Sequence, residues 1–121
     1  MLCTGVDIIE TARIRRVIER WGDRFLKRVY TESELSHYGH RVPSLAMRFA
    51  AKEAVMKALG TGIRGMKWRD IEILAEPSGK PLVNLHGNTR DKALNLGLDN
   101  LAISLSDSRE FAVAFVVGEI K

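Results

Sequence analysis

The chain has 121 residues, 45% hydrophobic and 28% charged, which is typical of one globular domain and argues against disorder. No apolar run could span a bilayer, the N-terminus lacks the basic stretch of a secretory signal, and the single Cys3 excludes an internal disulfide and a cysteine-based zinc site. We therefore expect a single domain over residues 1–121 in the cytoplasm. The net charge of +4 favours an anionic partner such as nucleic acid, a phosphorylated small molecule or an acidic protein.

The N-terminal residues predict one strand and one helix. The short apolar stretch over residues 2–9 predicts the strand. After it, apolar residues recur at the spacing of a single helical face. These residues are Ile14, Val17, Ile18, Trp21 and Phe25. Gly22 is expected to end or interrupt this helix.

Two further helices are predicted before the middle of the chain. Thr31 and Glu34 have the spacing of a capping box, so a short helix should begin at Thr31. The next helix is predicted to begin at Pro43 and to run to Leu59, with Gly60 just after its last turn. Because its apolar residues occur on nearly every face, we expect this helix to be largely buried.

The second half of the chain predicts four strands and one helix. The strands cover residues 70–76, 82–86, 101–106 and 111–118. Turn-forming residues 77–79 join the first two strands into a hairpin. Asn88 is expected to cap a helix over residues 89–96 that Gly97 ends. This order of elements indicates an α+β fold in which helices pack on a largely antiparallel sheet.

Two carboxylates interrupt otherwise apolar elements. Glu53 on the buried helix either forms an i, i+4 ion pair with Lys57 at a gap in the packing, or it binds a cation. Asp7 in the first strand either caps the following helix or belongs to a site. With Glu10 close behind Asp7, the carboxylates could form an oxygen site of the kind that Mg²⁺ uses together with substrate phosphates.

Basic side chains form a ridge along the first helix. Arg13, Arg16, Arg20, Arg24 and Lys27 fall within about 80° on a helical wheel, provided that the helix continues beyond residue 22. A solvated amphipathic helix needs no function. Such a ridge would also dock an acidic helix or a phosphate backbone. A small RNA-associated protein is therefore an alternative, although few aromatic residues accompany these arginines.

The glycine-rich segment that follows the buried helix imitates a dinucleotide-binding motif. Residues 60–65 match GxGxxG letter by letter. The dinucleotide motif follows a strand and begins a helix, whereas this segment follows a helix. We reject a Rossmann interpretation, but the backbone N–H groups of the segment could still bind a phosphate.

Five segments occur together and in order along the chain. They are GVDIIE with a following arginine, RFAAKEAVMKALGTG, DIEI, GKP and SLSDSREFAVA. The combination resembles the bacterial holo-[acyl-carrier-protein] synthases, small members of the 4′-phosphopantetheinyl transferase superfamily, over nearly the whole chain. The resemblance implies an α+β enzyme that uses Mg²⁺ to transfer the 4′-phosphopantetheine arm of coenzyme A to a serine of apo acyl carrier protein, releasing adenosine 3′,5′-bisphosphate. It also implies a homotrimer with active sites at subunit interfaces. We expect a cytoplasmic enzyme that supports fatty acid biosynthesis and has no nucleic-acid or membrane partner, while a carrier protein of polyketide synthesis stays open as the substrate.

The resemblance implies roles for individual residues of the catalytic and coenzyme A sites. Asp7 and Glu53 match the metal ligands, and Lys57 matches a lysine beside the pyrophosphate of coenzyme A; these three are the predicted catalytic residues. The positions that match the lining of the coenzyme A site are Arg48, Lys57, Gly60, Thr61, Lys80 and Pro81. Part of that site is expected to come from a neighbouring subunit.

Carrier-protein contacts are implied in the same way. Arg13 matches an arginine that binds the acidic recognition helix of the carrier protein, and Arg20 or Arg24 supplies a second contact. Asp107 stands where many relatives have a histidine, so no role of that histidine is transferred to it. The serine proton passes to a metal-bound water or to a carboxylate such as Glu53, and both acceptors stay open. A non-catalytic subunit of a larger synthase is an alternative, against which the two carboxylates and the lysine argue.

Overall fold

The computed structural model describes residues 1–60 and 65–121, and its elements follow the predicted order with one additional helix. In chain order the elements are β1 (Leu2–Glu10), α1 (Thr11–Trp21), α2 (Asp23–Val29), α3 (Glu32–Tyr38), α4 (Val42–Leu59), β2 (Ile71–Ala75), β3 (Pro81–Leu85), α5 (Gly87–Leu96), β4 (Leu98–Asp107) and β5 (Phe111–Ile120). A 3₁₀ turn, Trp68–Asp70, precedes β2. Thr61, predicted to line the coenzyme A site, and the rest of residues 61–64 lie outside the described residues.

The strands confirm the predicted antiparallel α+β architecture but divide into two sheets. One sheet has the order β1-β5-β4, and the other is the β2–β3 hairpin. In the first sheet β5 pairs antiparallel with both neighbours, and Asp7 lies opposite Ala114. The hairpin is attached to α4 instead of to a third strand, since Lys52 and Arg48 donate hydrogen bonds to the carbonyls of Ile71 and Ile73.

Helix α4 forms the centre of the core, as predicted from its apolar residues. Thirteen of its 18 residues are buried, and Gly60 ends it in the left-handed conformation with φ of 76°. Strand β1 passes unusually close to this helix, because a Cβ at Gly5 would lie 1.9 Å from the carbonyl oxygen of Ala54. Only glycine permits this approach. The contact brings Asp7, two residues further along β1, beside the helix.

The predicted basic ridge does not continue along one helix. Gly22 has φ of 54°, a left-handed conformation that favours glycine, and it separates α1 from α2. A single ridge that extends to Arg24 and Lys27 is therefore wrong, since both residues lie on α2. The interruption itself is confirmed.

Helix α5 begins earlier than predicted. Its first residue is Gly87 and its N-cap is His86, which makes no side-chain capping hydrogen bond. Asn88 thus lies inside the first turn, and the predicted cap at Asn88 is wrong. Gly97 ends the helix with φ of 84°, as predicted. Among the helices of residues 1–60 and 65–121, none is both long and apolar enough to cross a bilayer.

Candidate active site

Three predicted site residues meet where β1 crosses α4. The Lys57 Nζ atom donates hydrogen bonds to Asp7 Oδ1 at 3.1 Å and to the Val6 carbonyl oxygen at 2.9 Å. Glu53 lies one turn before Lys57 on α4, where its carboxyl group interacts with that of Asp7. We call Asp7, Glu53 and Lys57 the edge cluster.

The geometry of the edge cluster argues against two of the alternatives that the sequence left open. Within the described residues, Lys57 forms its ion pair with Asp7 and not with Glu53, so a simple i, i+4 pair on α4 is not what the structure contains. Asp7 does not cap α1 either. The N-cap of that helix is Glu10, and no side chain caps it.

The electrostatics of the edge cluster raise the pKa of Glu53. Burial of its carboxyl group is the main cause, and the negative charge and hydrogen bond of Asp7 add to it, while Arg13 and Lys57 oppose the shift. Arg13, at the start of α1, is therefore close enough to act on this carboxyl group. Two neighbouring carboxylates that share one lysine favour the uptake of a proton or a metal cation.

The chemistry of the edge cluster fits a magnesium ion. Asp7 and Glu53 offer carboxylate oxygens, the ligands that Mg²⁺ prefers, from two rigid elements. In the described part of the chain no three His, Cys, Asp or Glu side chains gather as a metal cage. Magnesium typically takes only one or two protein carboxylates and completes its shell with waters and substrate phosphates. The pair could hold such an ion.

A separate groove brings together other predicted residues. Its volume is about 390 Å³, and it is lined by Met47, Arg48, Gly79, Pro81, Leu105, Ser106 and Asp107. Arg48 and Pro81, both predicted to line the coenzyme A site, thus share one groove with Asp107. Lys80 is exposed in the preceding hairpin turn, and Gly60 is exposed at the end of α4. The predicted coenzyme A residues therefore fall in two places on this chain.

Arg48 brings a buried positive charge to this groove. Its guanidinium group stacks 3.3 Å above the ring of Tyr38, and it donates to the carbonyls of Ile73 and Ser44 at 3.2 and 3.3 Å. Only 5% of Arg48 is exposed, and no described carboxylate lies within 4.0 Å of its nitrogens. Because burial without a counterion is costly, an anion in the groove would stabilise this side chain.

The basic residues of α1 and α2 surround an exposed tryptophan. The guanidinium carbons of Arg20 and Arg24 lie 5.3 and 5.9 Å from the ring centroid of Trp21. A groove of about 410 Å³ beside them is lined by Val17, Trp21, Arg24, Phe25 and Arg28. The break at Gly22 thus lets arginines from two helices flank one aromatic ring.

Two residues of these sites were missed by sequence reasoning. Gly5 interrupts an apolar strand, and nothing in the pattern shows that α4 contacts it. Trp21 belongs to the apolar face of α1, yet 47% of it is exposed. Its position directly before Gly22, with Arg20 before it and Arg24 three residues after it, is the signal that could have indicated a surface role.

Comparison with known proteins gives consistent matches. A family model of the 4′-phosphopantetheinyl transferase superfamily matches residues 3–116. The chain is 52% identical to a holo-[acyl-carrier-protein] synthase of Dehalococcoides mccartyi (strain CBDB1) over 119 residues, which are 98% of this chain and 99% of the relative. The crystal structure of the synthase from Neisseria meningitidis has a TM-score of 0.90 at 37% identity and covers 97% of both chains.

A second solved structure, the Helicobacter pylori synthase in complex with coenzyme A, has a TM-score of 0.88 at 34% identity and covers 96% of this chain and 99% of that one. These matches confirm the resemblance that the sequence motifs indicate, together with the α+β fold. The chain belongs to the holo-[acyl-carrier-protein] synthase family of the 4′-phosphopantetheinyl transferase superfamily.

Proposed function

We propose that this enzyme transfers the 4′-phosphopantetheine group of coenzyme A to a serine of apo acyl carrier protein and releases adenosine 3′,5′-bisphosphate. The observation that carries the proposal is the edge cluster, in which two carboxylates and a lysine meet at the surface. The names of the relatives and the coenzyme A complex of the Helicobacter pylori structure support this pair of substrates. The carrier of fatty acid biosynthesis is the substrate to test first.

In this proposal Asp7 and Glu53 hold Mg²⁺. The bound ion would neutralise charge on the diphosphate of coenzyme A during transfer. Lys57 is 56% exposed and uses hydrogen bonds to Asp7 and Val6. An ammonium group has three donors, so one N–H remains to bind a phosphate oxygen. Lys57 thereby orients the Asp7 carboxylate and binds the diphosphate from the same position.

The coenzyme A site of the proposal extends into the groove beside Arg48. The buried guanidinium group has no described carboxylate partner, which suits it to a phosphate group of coenzyme A. Pro81 lines the same groove, and Lys80 precedes it in the hairpin turn. Gly60, at the end of α4 one turn after Lys57, would lie at the diphosphate end of the ligand.

A homotrimer would bring the edge cluster and the groove together across subunit interfaces. This part of the proposal is supported by the outward face of the β1-β5-β4 sheet, which carries exposed apolar side chains. Val6, Ile8 and Phe115 are 53%, 62% and 45% exposed on this face. An uncovered apolar sheet face is typical of a protein–protein interface, and closed rings are common among small homo-oligomers.

Arg13, Arg20 and Arg24 are proposed to bind the acidic carrier protein. All three are exposed, and Arg13 also approaches Glu53. A carrier protein that contacts Arg13 would thus place its serine near the edge cluster. Attraction between opposite charges speeds association and makes it dependent on salt.

The activity is tested by mass spectrometry of the carrier protein. The enzyme is mixed with apo acyl carrier protein, coenzyme A and Mg²⁺, and a known phosphopantetheinyl transferase serves as positive control. We expect one phosphopantetheine group to be added to the carrier serine, and EDTA to prevent the addition. A carrier that stays unmodified here but is modified by the control enzyme would contradict the proposal.

The homotrimer is tested with a charge on the sheet face. Phe115→Glu is expected to reduce the mass measured by light scattering from about three chains to one and to reduce transfer strongly. Leu94→Glu, which places the same charge on another exposed apolar residue, should change neither property. A wild type that is monomeric and fully active would overturn this part of the proposal.

A further inference from the structure

A second basic surface lies beyond the Trp21 groove. Arg28 of α2 and the two basic residues around the 3₁₀ turn, Lys67 and Arg69, line a groove of about 440 Å³ together with Met66 and Trp68. Exposed Arg28 also lines the Trp21 groove. The two grooves are therefore adjacent and share one arginine. We call Arg28, Lys67, Trp68 and Arg69 the turn surface.

A smaller cavity extends the turn surface further. Arg69 also lines a cavity of about 150 Å³ that includes Lys27, Tyr30, Glu32 and Leu35. Glu32 is the one acidic residue among the lining residues of these three cavities. The basic region thus continues from α1 over α2 to the 3₁₀ turn.

The cations of the turn surface are not neutralised by their own chain. Among the residues that the structure describes, no carboxylate lies within 4.0 Å of the side-chain nitrogens of Arg28, Lys67 or Arg69. All three residues are exposed. Clustered cations without counterions produce a positive potential that attracts an acidic partner.

An aromatic side chain of fixed orientation forms the floor of the turn surface. Trp68 stacks on the ring of Phe49 with centroids 4.9 Å apart and planes at 21°. Phe49 belongs to the buried helix α4, so the indole has little freedom to move. Tryptophan and arginine are the residues most enriched in the energetic centres of protein interfaces. An apolar floor with a charged rim also fits a folded protein better than an RNA strand, which needs several exposed aromatic rings.

We propose that the turn surface is a second docking surface for the acidic carrier protein, continuous with the Arg20–Trp21–Arg24 region. The inference rests on the proposed function, because it takes the carrier protein as the partner already assigned to α1. In this proposal Lys67 and Arg69 bind acidic residues of the carrier protein that lie outside its recognition helix, the helix assigned to α1. Trp68 packs against the apolar surface of the carrier protein.

The two tryptophans of the chain allow a direct test, since one lies in each groove. Trp21→Phe leaves Trp68 as the single indole emitter, and Trp68→Phe leaves Trp21. Each variant is titrated with a tryptophan-free apo carrier protein in the absence of coenzyme A. We expect a saturable change of emission in both variants. If Trp21 responds at saturation and Trp68 does not, the inference is overturned.

Charge reversal tests the same surface during turnover. Lys67→Glu combined with Arg69→Glu should raise the KM for carrier protein about tenfold or more and leave the KM for coenzyme A within about twofold. The KM for carrier protein should also depend less on salt concentration than that of the wild type. The matched control is Arg90→Glu combined with Lys92→Glu on α5, which carries the same change of charge and should alter neither constant.

Failure of the inference and failure of the proposed function remain distinguishable. An unchanged carrier KM in the Lys67/Arg69 variant, with normal transfer by the wild type, overturns the docking surface alone. If the Lys67/Arg69 variant no longer retains RNA in a filter-binding assay while its carrier KM is unchanged, the surface binds a nucleic acid and the docking proposal is overturned. The tryptophan titration needs no turnover, so it tests the surface even if the wild type transfers nothing.

Discussion

Two lysine–carboxylate pairs on the same helix have opposite surroundings. The Lys52 Nζ atom lies 2.8 Å from Glu34 Oε1, and both side chains are fully buried. Five residues later, the Lys57 Nζ atom lies 3.1 Å from Asp7 Oδ1, with side chains 56% and 12% exposed. The chemical groups are alike, but the first pair is part of the core and the second lies at the proposed active site.

Every group of the buried pair is satisfied by the protein. Glu34 accepts hydrogen bonds from Lys52 and from the backbone N–H groups of Thr31 and Ile73. Lys52 donates to two backbone carbonyls as well. Burial lowers the pKa of Lys52, and the negative charge of Glu34 opposes this shift. The pair links α3, α4 and β2 and leaves no capacity for a ligand.

In the edge cluster, the negative charges of the carboxylates are not fully balanced by the protein, so a cation could bind there. Glu53 adds a second carboxylate to the pair, so one lysine faces two negative charges. Residue type alone therefore does not separate a structural ion pair from a functional one. What separates them is whether the protein itself supplies all the partners and whether solvent and substrate can reach the groups.

The largest predicted effect follows from removing the negative charge of Glu53 from the edge cluster. Glu53→Gln should lower kcat/KM by about three orders of magnitude, because metal neutralisation of a phosphate contributes several kcal/mol to the transition state. The variant should fold normally. Mg²⁺ should raise the Tm of the wild type and not that of Glu53→Gln, since only a bound ion stabilises the folded state.

The control for this variant is Glu10→Gln, which removes an exposed carboxylate three residues after Asp7 on β1 and should leave turnover unchanged. Near-normal transfer by Glu53→Gln in Mg²⁺ would contradict the role of the edge cluster.

The second prediction breaks the buried pair. Lys52→Met leaves Glu34 buried without its cation and should reduce the free energy of unfolding by about 3–5 kcal/mol. Lys57→Met removes the partner of a partly exposed pair and should cost less than about 1 kcal/mol. Urea denaturation of both variants measures the difference. Equal losses would show that burial does not distinguish the two pairs.

A third prediction concerns the carrier protein beside the edge cluster. Arg13→Glu should raise the KM for carrier protein about tenfold at low salt and affect the KM for coenzyme A less, because the arginine attracts an acidic partner. Steady-state kinetics with either substrate varied provide the test. Arg90→Glu is a control on a distant helix. A carrier KM that stays the same at low salt would rule out the contact.

The smallest predicted effect is a pH dependence of stability that comes from the hydrogen-bonded carboxylate of Glu72. Burial acts to raise the pKa of Glu72, but hydrogen bonds from Thr31 and His86 outweigh it, and the pKa lies below its usual value. The folded state therefore binds this proton less readily than the unfolded state. The resulting stability is present above the unfolded pKa and is lost as the pH falls through the folded one.

Because His86, one of the hydrogen-bond partners of Glu72, is about half exposed, the contribution should stay below about 1 kcal/mol. Glu72→Gln should destabilise the protein at pH 6 and have little effect near pH 3, measured by urea denaturation at each pH. A loss that is equal at both pH values would show that the charge of Glu72 is not responsible. Burial, together with the negative charge of Asp7, shifts the pKa of Glu53 in the opposite direction.

Local features of the fold could be predicted from the sequence because they depend on neighbouring residues. The capping box of Thr31 and Glu34 forms as expected, with hydrogen bonds of 2.8 and 3.1 Å. Gly60 ends α4 for the same local reason. The motifs also identify the family, since they extend along nearly the whole chain.

Partners that are distant along the chain could not be predicted. Lys52 pairs with Glu34, which is 18 residues away along the chain, and Lys57 pairs with Asp7, which is 50 residues away. Periodicity gives the face of a helix on which a charge lies, but not the element that packs there. The division of the strands into two sheets has the same origin, because the hairpin attaches to side chains of α4.

The most direct test of the edge cluster is a crystal structure with coenzyme A and Mn²⁺, in which anomalous scattering locates the ion. We predict a peak within coordination distance of both the Asp7 and the Glu53 carboxylates and of the diphosphate. A diphosphate bound with no ion between these two carboxyl groups would contradict this prediction.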